Sequence, residues 1–293
     1  MPLTAFTVGF DPVVQLSETA SVRLETIGLA IVLFMALVLA ARAAHASAVE
    51  GLRLDDLVFM VVGAVPGAIA GGRLGYVLDH LDYYRANPNA MLDPNQGSLT
   101  LTLAVPLGLL TGAIVGRLLR APIAGWMRAL ALPLLFALAA GKLVGVLGAS
   151  GQGLPTDVPW ATAYLGAGPW GSLAADVPSH PSQVYEAILV GVAVVILGAL
   201  AWTPFLRRAD GSALYIALGL WAAARFAAAS TWRDPATVGP LRMDQALLLG
   251  VGALALAGLT IRARGTSART RPDQARGIVS TAPDASPAEE SNP

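Results

Sequence analysis

Residues 180–191 read HPSQVYEAILVG, a dense polar cluster of His180, Ser182, Gln183, Tyr185 and Glu186 that runs directly into an apolar stretch of membrane-spanning length. A carboxylate at such an entrance either accepts a proton in acid–base chemistry or balances a buried cation. Three cations are available inside apolar runs: Arg73 in AGGRLGYVL, Lys142 in LAAGKLVGV and Arg225 in LWAAARFAAAS. A charge at mid-helix costs about 2.5–3.5 kcal/mol on insertion scales, so each needs a reason. The planar fork of arginine binds two oxygens of a phosphate, and the phosphate found at that depth belongs to a phospholipid headgroup. Snorkelling toward lipid is the alternative for any one of the three. Gly71, Gly72, Gly75 and Gly141 flank them and permit close approach of another backbone or of a ligand, which favours a shared anionic site.

The elements that position these groups follow from composition. Hydrophobic residues make up 55% of the 293 and charged residues 13%, about half the roughly 25% of a soluble domain. The chain therefore reads as an integral membrane protein. A formal net charge of +0 supplies no global field for nucleic acid. With no cysteine, disulfides, iron–sulfur clusters and a protein thiol nucleophile are excluded. The three histidines lie far apart, so no metal site is expected. Asp11 and Glu18 stand where a signal peptide would carry a basic region.

A spanning helix needs about 20 mostly apolar residues. Seven stretches qualify, at 24–41, 57–78, 99–116, 129–149, 184–203, 212–230 and 243–261. The third contains Pro106 and several glycines, which membrane helices tolerate. The expected fold is an all-α integral membrane protein with seven transmembrane helices.

One alternating set of connections carries Arg42 and Arg53, then Arg117, Arg120 and Arg128, then Arg207 and Arg208, then the arginines of the tail; the connection at 150–183 has no Lys or Arg. The positive-inside rule then puts the N-terminus outside and the C-terminus in the cytoplasm. Residues 1–23 form an external segment and residues 24–261 the membrane domain. Its outer loops are 79–98, an interfacial turn or short helix, and 150–183, whose Trp160, Tyr164 and Trp170 suit the interface. Residues 262–293 read as a disordered cytoplasmic tail. In this orientation Arg73, Lys142 and Arg225 share the outward halves of their spans, with Glu186 near the outer end of the fifth. Glu186 is then a proton acceptor or the partner of Arg73 or Arg225. Asp79 and Asp157 are further outer-face carboxylates, and Thr156 or Asp157 equally suits a helix cap.

These motifs resemble those of the prolipoprotein diacylglyceryl transferase family. HPSQVYEAILVG is similar to that family's H-P-S-Q-L-Y-E-A, and residues 71–88 resemble its G-A-R-L-G-Y-V-L…Y-Y…N-P. LPTDVPW at 154–160 resembles Y-P-T-D-L-P-W. RFAAASTWRDP and GPLRMDQALLL resemble its R-F…E-F-x-R-x-P-D and G-x-L-S-M-G-Q-x-L-S. The resemblance covers about residues 24–261 and implies a reaction: phosphatidylglycerol donates diacylglyceryl to the thiol of a lipobox cysteine in a prolipoprotein signal peptide, at the outer face of the bacterial plasma (inner) membrane. It implies no cofactor. It matches Arg225 to a family arginine that binds and stabilises the departing phosphate; Glu186 and His180 join Arg225 as candidate catalytic residues, and Arg73, Lys142, Tyr76, Gln183, Tyr185 and Asp157 are the candidate contacts to substrate and membrane lipid.

The chain departs from the family where its G-R-I-G-N-F-I-N-G-E becomes GKLVGVLGAS: arginine is Lys142, the two asparagines are Gly145 and Gly148, and glutamate is Ser150. The histidine of S-F-H-G-G is missing near Leu101, the glutamate after the sixth-span arginine is Ala229, and the tyrosine early in the first span is absent around Thr26 and Ile27. Three readings result: a transferase, an inactive homologue that binds phospholipid or precursor, and a transporter of an anionic substrate. The last is disfavoured because the unusual polar residues sit on one side of the membrane.

Overall fold

The computed structural model describes residues 5–93, 97–166, 168–203, 206 and 210–277. In chain order its helices are α1 (Leu24–His45), α2 (Leu54–Asp79), the short α3 (Leu81–Ala86), α4 (Leu101–Leu118), α5 (Ile123–Val144), α6 (Ser182–Leu200), α7 (Ser212–Ala229) and α8 (Met243–Gly277). All but α3 are long and apolar enough to cross a membrane, so the protein is a seven-span, multi-pass membrane protein. Pro66, Pro106 and Pro133 lie within α2, α4 and α5 without ending them.

Because successive spans alternate in direction, the N-terminal segment and the connections 80–100, 145–181 and 230–242 collect at one end of the bundle, called the loop end below. The opposite end carries Arg42, Arg53, Arg117, Arg120 and Arg128; Arg207 and Arg208, part of the same charge pattern, lie outside the described residues. In the loop 79–98, α3 is followed by a 3-10 turn at Pro88–Leu92, as the aromatic and Asn-Pro composition led one to expect; its residues 94–96 are not described.

Short strands that composition did not disclose organise the loop end. β1 (Phe6–Val8) pairs in parallel with β4 (Thr162–Tyr164), β2 (Val13–Gln15) forms a hairpin with β3 (Ser21–Arg23), and β5 (Ala236–Val238) pairs with β6 (Leu241–Arg242) just before α8. Three-residue strands are too short to show a period of two. The tail also differs from expectation. α8 continues to Gly277, past the boundary at 262, since Arg262, Ala263 and Arg264 are good helix formers; residues 278–293 lie outside the described residues.

The core is assembled in two ways. Between α5, α6, α7 and α8, large side chains including Leu135, Leu197, Trp221 and Leu248 interdigitate. Between α2 and α4 the backbones themselves meet. Gly63, Gly67, Gly71 and Gly75 recur every fourth residue along α2, and Gly108, Gly112 and Gly116 along α4. A Cβ on Gly67 would strike the Leu107 carbonyl, one on Gly71 the Leu103 carbonyl, and one on Gly112 the Met60 carbonyl at 2.9 Å. This is the small-residue packing that lets membrane helices approach without a hydrophobic driving force. The glycines beside Arg73 thus serve a helix interface, not a ligand.

Gly71→Leu should cost on the order of 1–3 kcal/mol or more, the price of overpacking, and lower the melting temperature in detergent. Gly250→Leu, at a site where nothing lies within 4 Å of an added Cβ, should leave it unchanged. Equal effects would refute a tight α2–α4 contact.

Candidate active site

Glu186 lies one turn inside α6 and is 1% exposed. Its Oε1 accepts from Arg225 Nη1 at 2.8 Å and its Oε2 is 3.1 Å from Lys142 Nζ. The three come together because each lies within about a turn of the loop end: Lys142 near the end of α5, Arg225 near the end of α7, Glu186 near the start of α6. Lys142 is the only lysine in the chain and, with 21% of its side chain exposed, the most open of the trio.

Arg225 is held from its other side too. Its Nε donates to Thr102 Oγ1 at 3.0 Å and lies 3.2 Å from Asp244 Oδ2, while Thr102 donates to Asp244 Oδ1. Thr102 and Asp244 open α4 and α8. The Trp232 ring lies 4.4 Å from the Arg225 guanidinium carbon and 5.6 Å from Lys142 Nζ, within range of cation–π attraction to both. Sequence reasoning missed Thr102, Trp232 and Asp244: Thr102 and Asp244 sit in first turns, where polar residues look like ordinary caps, and Trp232 follows α7, where an aromatic suits the interface.

Lys142, Glu186, Arg225, Trp232 and Asp244 line a cavity of about 910 Å³, within the usual range for a ligand site, and form what is called its floor below. Leu29, Val32 and Leu33 of α1 and Leu134 and Leu138 of α5 supply an apolar wall, while Glu25, Tyr76, Asp79, His80, Gln183 and Arg233 lie among its polar groups. Gln183 Nε2 donates to the Tyr164 hydroxyl at 3.1 Å; burial pushes that hydroxyl above its ordinary pKa, so the phenol stays neutral. An amphipathic cavity with cations at its polar end can hold a phosphate while apolar chains follow the wall.

The structure thus brings together Lys142, Glu186, Arg225, Gln183 and Tyr76. Arg73 does not join them. It donates from Nε to the Met91 carbonyl at 2.6 Å and from Nη2 to those of Ala90 and Asp93 at 2.7 and 3.1 Å, so the expected trio of cations is a pair and Arg73 fastens the 88–93 turn. His180 and Tyr185 also stand apart from the cavity lining. Trp160 Nε1 donates to the Tyr185 hydroxyl at 2.6 Å, and that hydroxyl lies 3.2 Å from His180 Nδ1, a clasp between the 149–181 connection and α6. Asp157 is exposed on that connection and does not line the cavity either.

Two other arginines act as Arg73 does. Arg233 Nε donates to the Gly153 carbonyl at 2.6 Å and Nη2 to Ser179 Oγ at 2.9 Å; Arg242 donates to the Asp234 and Trp232 carbonyls. Both line the cavity and fasten the connections around it.

The family model for prolipoprotein diacylglyceryl transferase matches residues 13–261, the strand hairpin and all seven spans. The chain belongs to that family. Among curated proteins it is similar to phosphatidylglycerol–prolipoprotein diacylglyceryl transferases. The relative from Bordetella parapertussis is 34% identical over 200 residues, 65% of this chain and 69% of the relative. The one from Nitratidesulfovibrio vulgaris is 32% identical over 235 residues, 74% of this chain and 81% of the relative. For that from Geobacter sulfurreducens the figures are 32% over 153 residues, 50% of this chain and 55% of the relative.

Removing one member of a buried ion pair leaves an uncompensated charge and costs about 3–5 kcal/mol. Glu186→Leu strands Lys142 and Arg225 together and should destabilise the protein by about that much in detergent unfolding. Combining it with Lys142→Met should recover part of the loss. A single variant as stable as the parent would contradict the clamp.

Proposed function

We propose that the protein transfers the diacylglyceryl group of phosphatidylglycerol to the thiol of a lipobox cysteine in a secreted precursor, at the outer face of a bacterial plasma membrane. The observation that carries this reading is the pair of cations, Lys142 and Arg225, held by one buried carboxylate at the polar end of an amphipathic cavity, in a chain of this family. The arginine-rich opposite end supports placing the loop end outside. No metal or organic cofactor enters the scheme.

The lipid phosphate meets Lys142 Nζ and the Nη2 edge of Arg225, which has no partner among the described residues. The acyl chains lie along the α1 and α5 wall. Glu186 is a poor base here because both of its oxygens are engaged by cations; it is assigned the positioning of those cations. His80 is the one histidine lining the cavity. Its Nδ1 is 3.0 Å from the Tyr76 carbonyl, which only accepts, so in the neutral ring Nδ1 carries the hydrogen and Nε2 has the free lone pair. The ring is stacked on Tyr76 at 4.2 Å. His80 Nε2 is assigned the thiol proton.

The thiolate attacks the glyceryl carbon that bears the phosphate oxygen. A C–S bond forms, the C–O bond breaks, and its electron pair departs with glycerol phosphate. The negative charge that grows on that phosphate faces two fixed cations, the arrangement that lowers barriers most effectively. The replacements at Lys142, Gly148, Ser150 and Ala229 favour a second reading, lipid binding without transfer, and one experiment separates the two.

Purified protein with phosphatidylglycerol and a lipobox peptide should add one diacylglyceryl mass to the cysteine. Lys142→Gln should slow this by about 100-fold, the usual cost of one charge-stabilising donor, and His80→Gln by a similar factor. No mass gain with the parent protein sinks the transferase reading in favour of binding alone.

A further inference from the structure

Arg73, Tyr76, His80 and Tyr84 stand within the segment GGRLGYVLDHLDYYRANP, of which the transfer steps above assign a role to His80 alone. His80 closes α2. Its backbone N–H bonds to the Tyr76 carbonyl at 3.2 Å, and its Nδ1 lies 3.0 Å from the same oxygen. The residue is exposed, so packing against the bundle does not fix the ring. Tyr76 holds it from one turn back on the same helix face, through that carbonyl and through a stack of the two rings at 4.2 Å and 24°. Which imidazole nitrogen keeps its lone pair is set by the hydrogen bond that the other makes. The Nε2 lone pair therefore depends on where Tyr76 stands.

Tyr76 is confined by three neighbours. Gly97 has φ +90, a conformation that favours glycine, and a Cβ there would strike the Tyr76 ring. Tyr84, 1% exposed, meets that ring edge-on, with centroids 6.3 Å apart at 74°. The Arg73 guanidinium carbon lies 5.9 Å from the centre of the Tyr76 ring and 5.4 Å from that of Tyr84, within cation–π range of both. Arg73 is itself held by the Met91, Ala90 and Asp93 carbonyls. The arginine that does not reach the cation pair is thus one ring removed from the imidazole.

We propose that Arg73, Tyr84 and Gly97 act through the Tyr76 ring to hold the His80 imidazole with Nδ1 on the Tyr76 carbonyl and Nε2 free, which makes Arg73 and Tyr76 positioning residues for the group that takes the thiol proton. The link to the reaction rests on the assignment of His80 as the base; the setting of the ring does not.

The test is nitrogen-15 NMR of the full-length protein in detergent, labelled at histidine, at a pH where the ring is neutral. The histidines are His45, His80 and His180, and His80→Gln identifies the signal. In the parent, His80 should show the Nδ1–H tautomer, the opposite of the Nε2–H form that an unheld histidine favours. Tyr76→Leu and Arg73→Gln should return it to the Nε2–H form. Both should slow transfer to a lipobox peptide by about 10- to 100-fold, the scale of misplacing a reacting group, through kcat more than KM. Tyr76→Phe keeps the ring, so it should keep the Nδ1–H form and transfer faster than Tyr76→Leu. Where Arg73→Gln melts early because the 88–93 turn is released, the two Tyr76 variants decide.

A parent with His80 in the Nε2–H form overturns the proposal. So does a Tyr76→Leu protein, or an Arg73→Gln protein that melts like the parent, in which the Nδ1–H form persists. A Tyr76→Phe protein that keeps this form yet transfers as slowly as Tyr76→Leu removes the ring from the explanation and overturns it too. A parent that shows the Nδ1–H form, loses it in Tyr76→Leu and adds no mass to the cysteine would retain the positioning and lose the transferase.

Discussion

A carboxylate with 1% exposure in the interior of a membrane domain persists only where cations compensate it, and Glu186 imposes that condition on the whole loop end. Following the contacts outward, Lys142 of α5 meets Glu186 of α6, which meets Arg225 of α7, which meets both Thr102 of α4 and Asp244 of α8. Five of the seven spans are thus tied by one polar chain. α1 is attached to the turn after α5 through Glu25 and Ser150, and α2 is held to α4 by glycine contact. The polar chain both closes the bundle at that end and holds Lys142 and Arg225 at the cavity floor, so stability and site geometry cannot be separated by moving any one of its charges.

The remaining arginines of the loop end explain why so few cations are left to meet a phosphate. Arg73, Arg233 and Arg242 all donate to backbone carbonyls of the connections. Loops packed over a membrane domain have carbonyls that water does not reach, and a guanidinium satisfies several at once. Arginine type and depth are the same for a loop fastener and for a phosphate ligand; only the neighbouring carbonyls distinguish them.

The extent to which the fold was legible follows from this. Apolar length located all seven spans, since the bilayer imposes it. Among the span starts the largest shift was at α5, which begins at Ile123 and not at 129 because a helix admits Arg128 in its first turns where a hydropathy window does not. The site was legible in depth but not in direction. Glu186 and Gln183, three residues apart, fall on one face of α6, while Tyr185 is turned about 100° from Glu186 and meets His180 and Trp160 instead. That much helical geometry alone distinguishes. Nothing in the spacing of Glu25, Thr102, Trp232 or Asp244 announces their meeting with residues more than a hundred positions away or on another helix; helix packing decides it. The short strands were likewise invisible, because two or three residues show no period and β1 pairs with β4, far along the chain.

The central claim is that a lipid phosphate sits against the cation pair. Lys142 being the only lysine, protein labelled with nitrogen-15 at the lysine Nζ gives a single side-chain signal from the floor of the cavity. Solid-state dipolar recoupling between that nitrogen and the phosphorus of phosphatidylglycerol, in bilayers of that lipid, tests the claim directly. The account predicts dephasing of the Nζ signal by lipid phosphorus, lost in Arg225→Gln. A Nζ signal untouched by lipid phosphorus in the parent protein would contradict it.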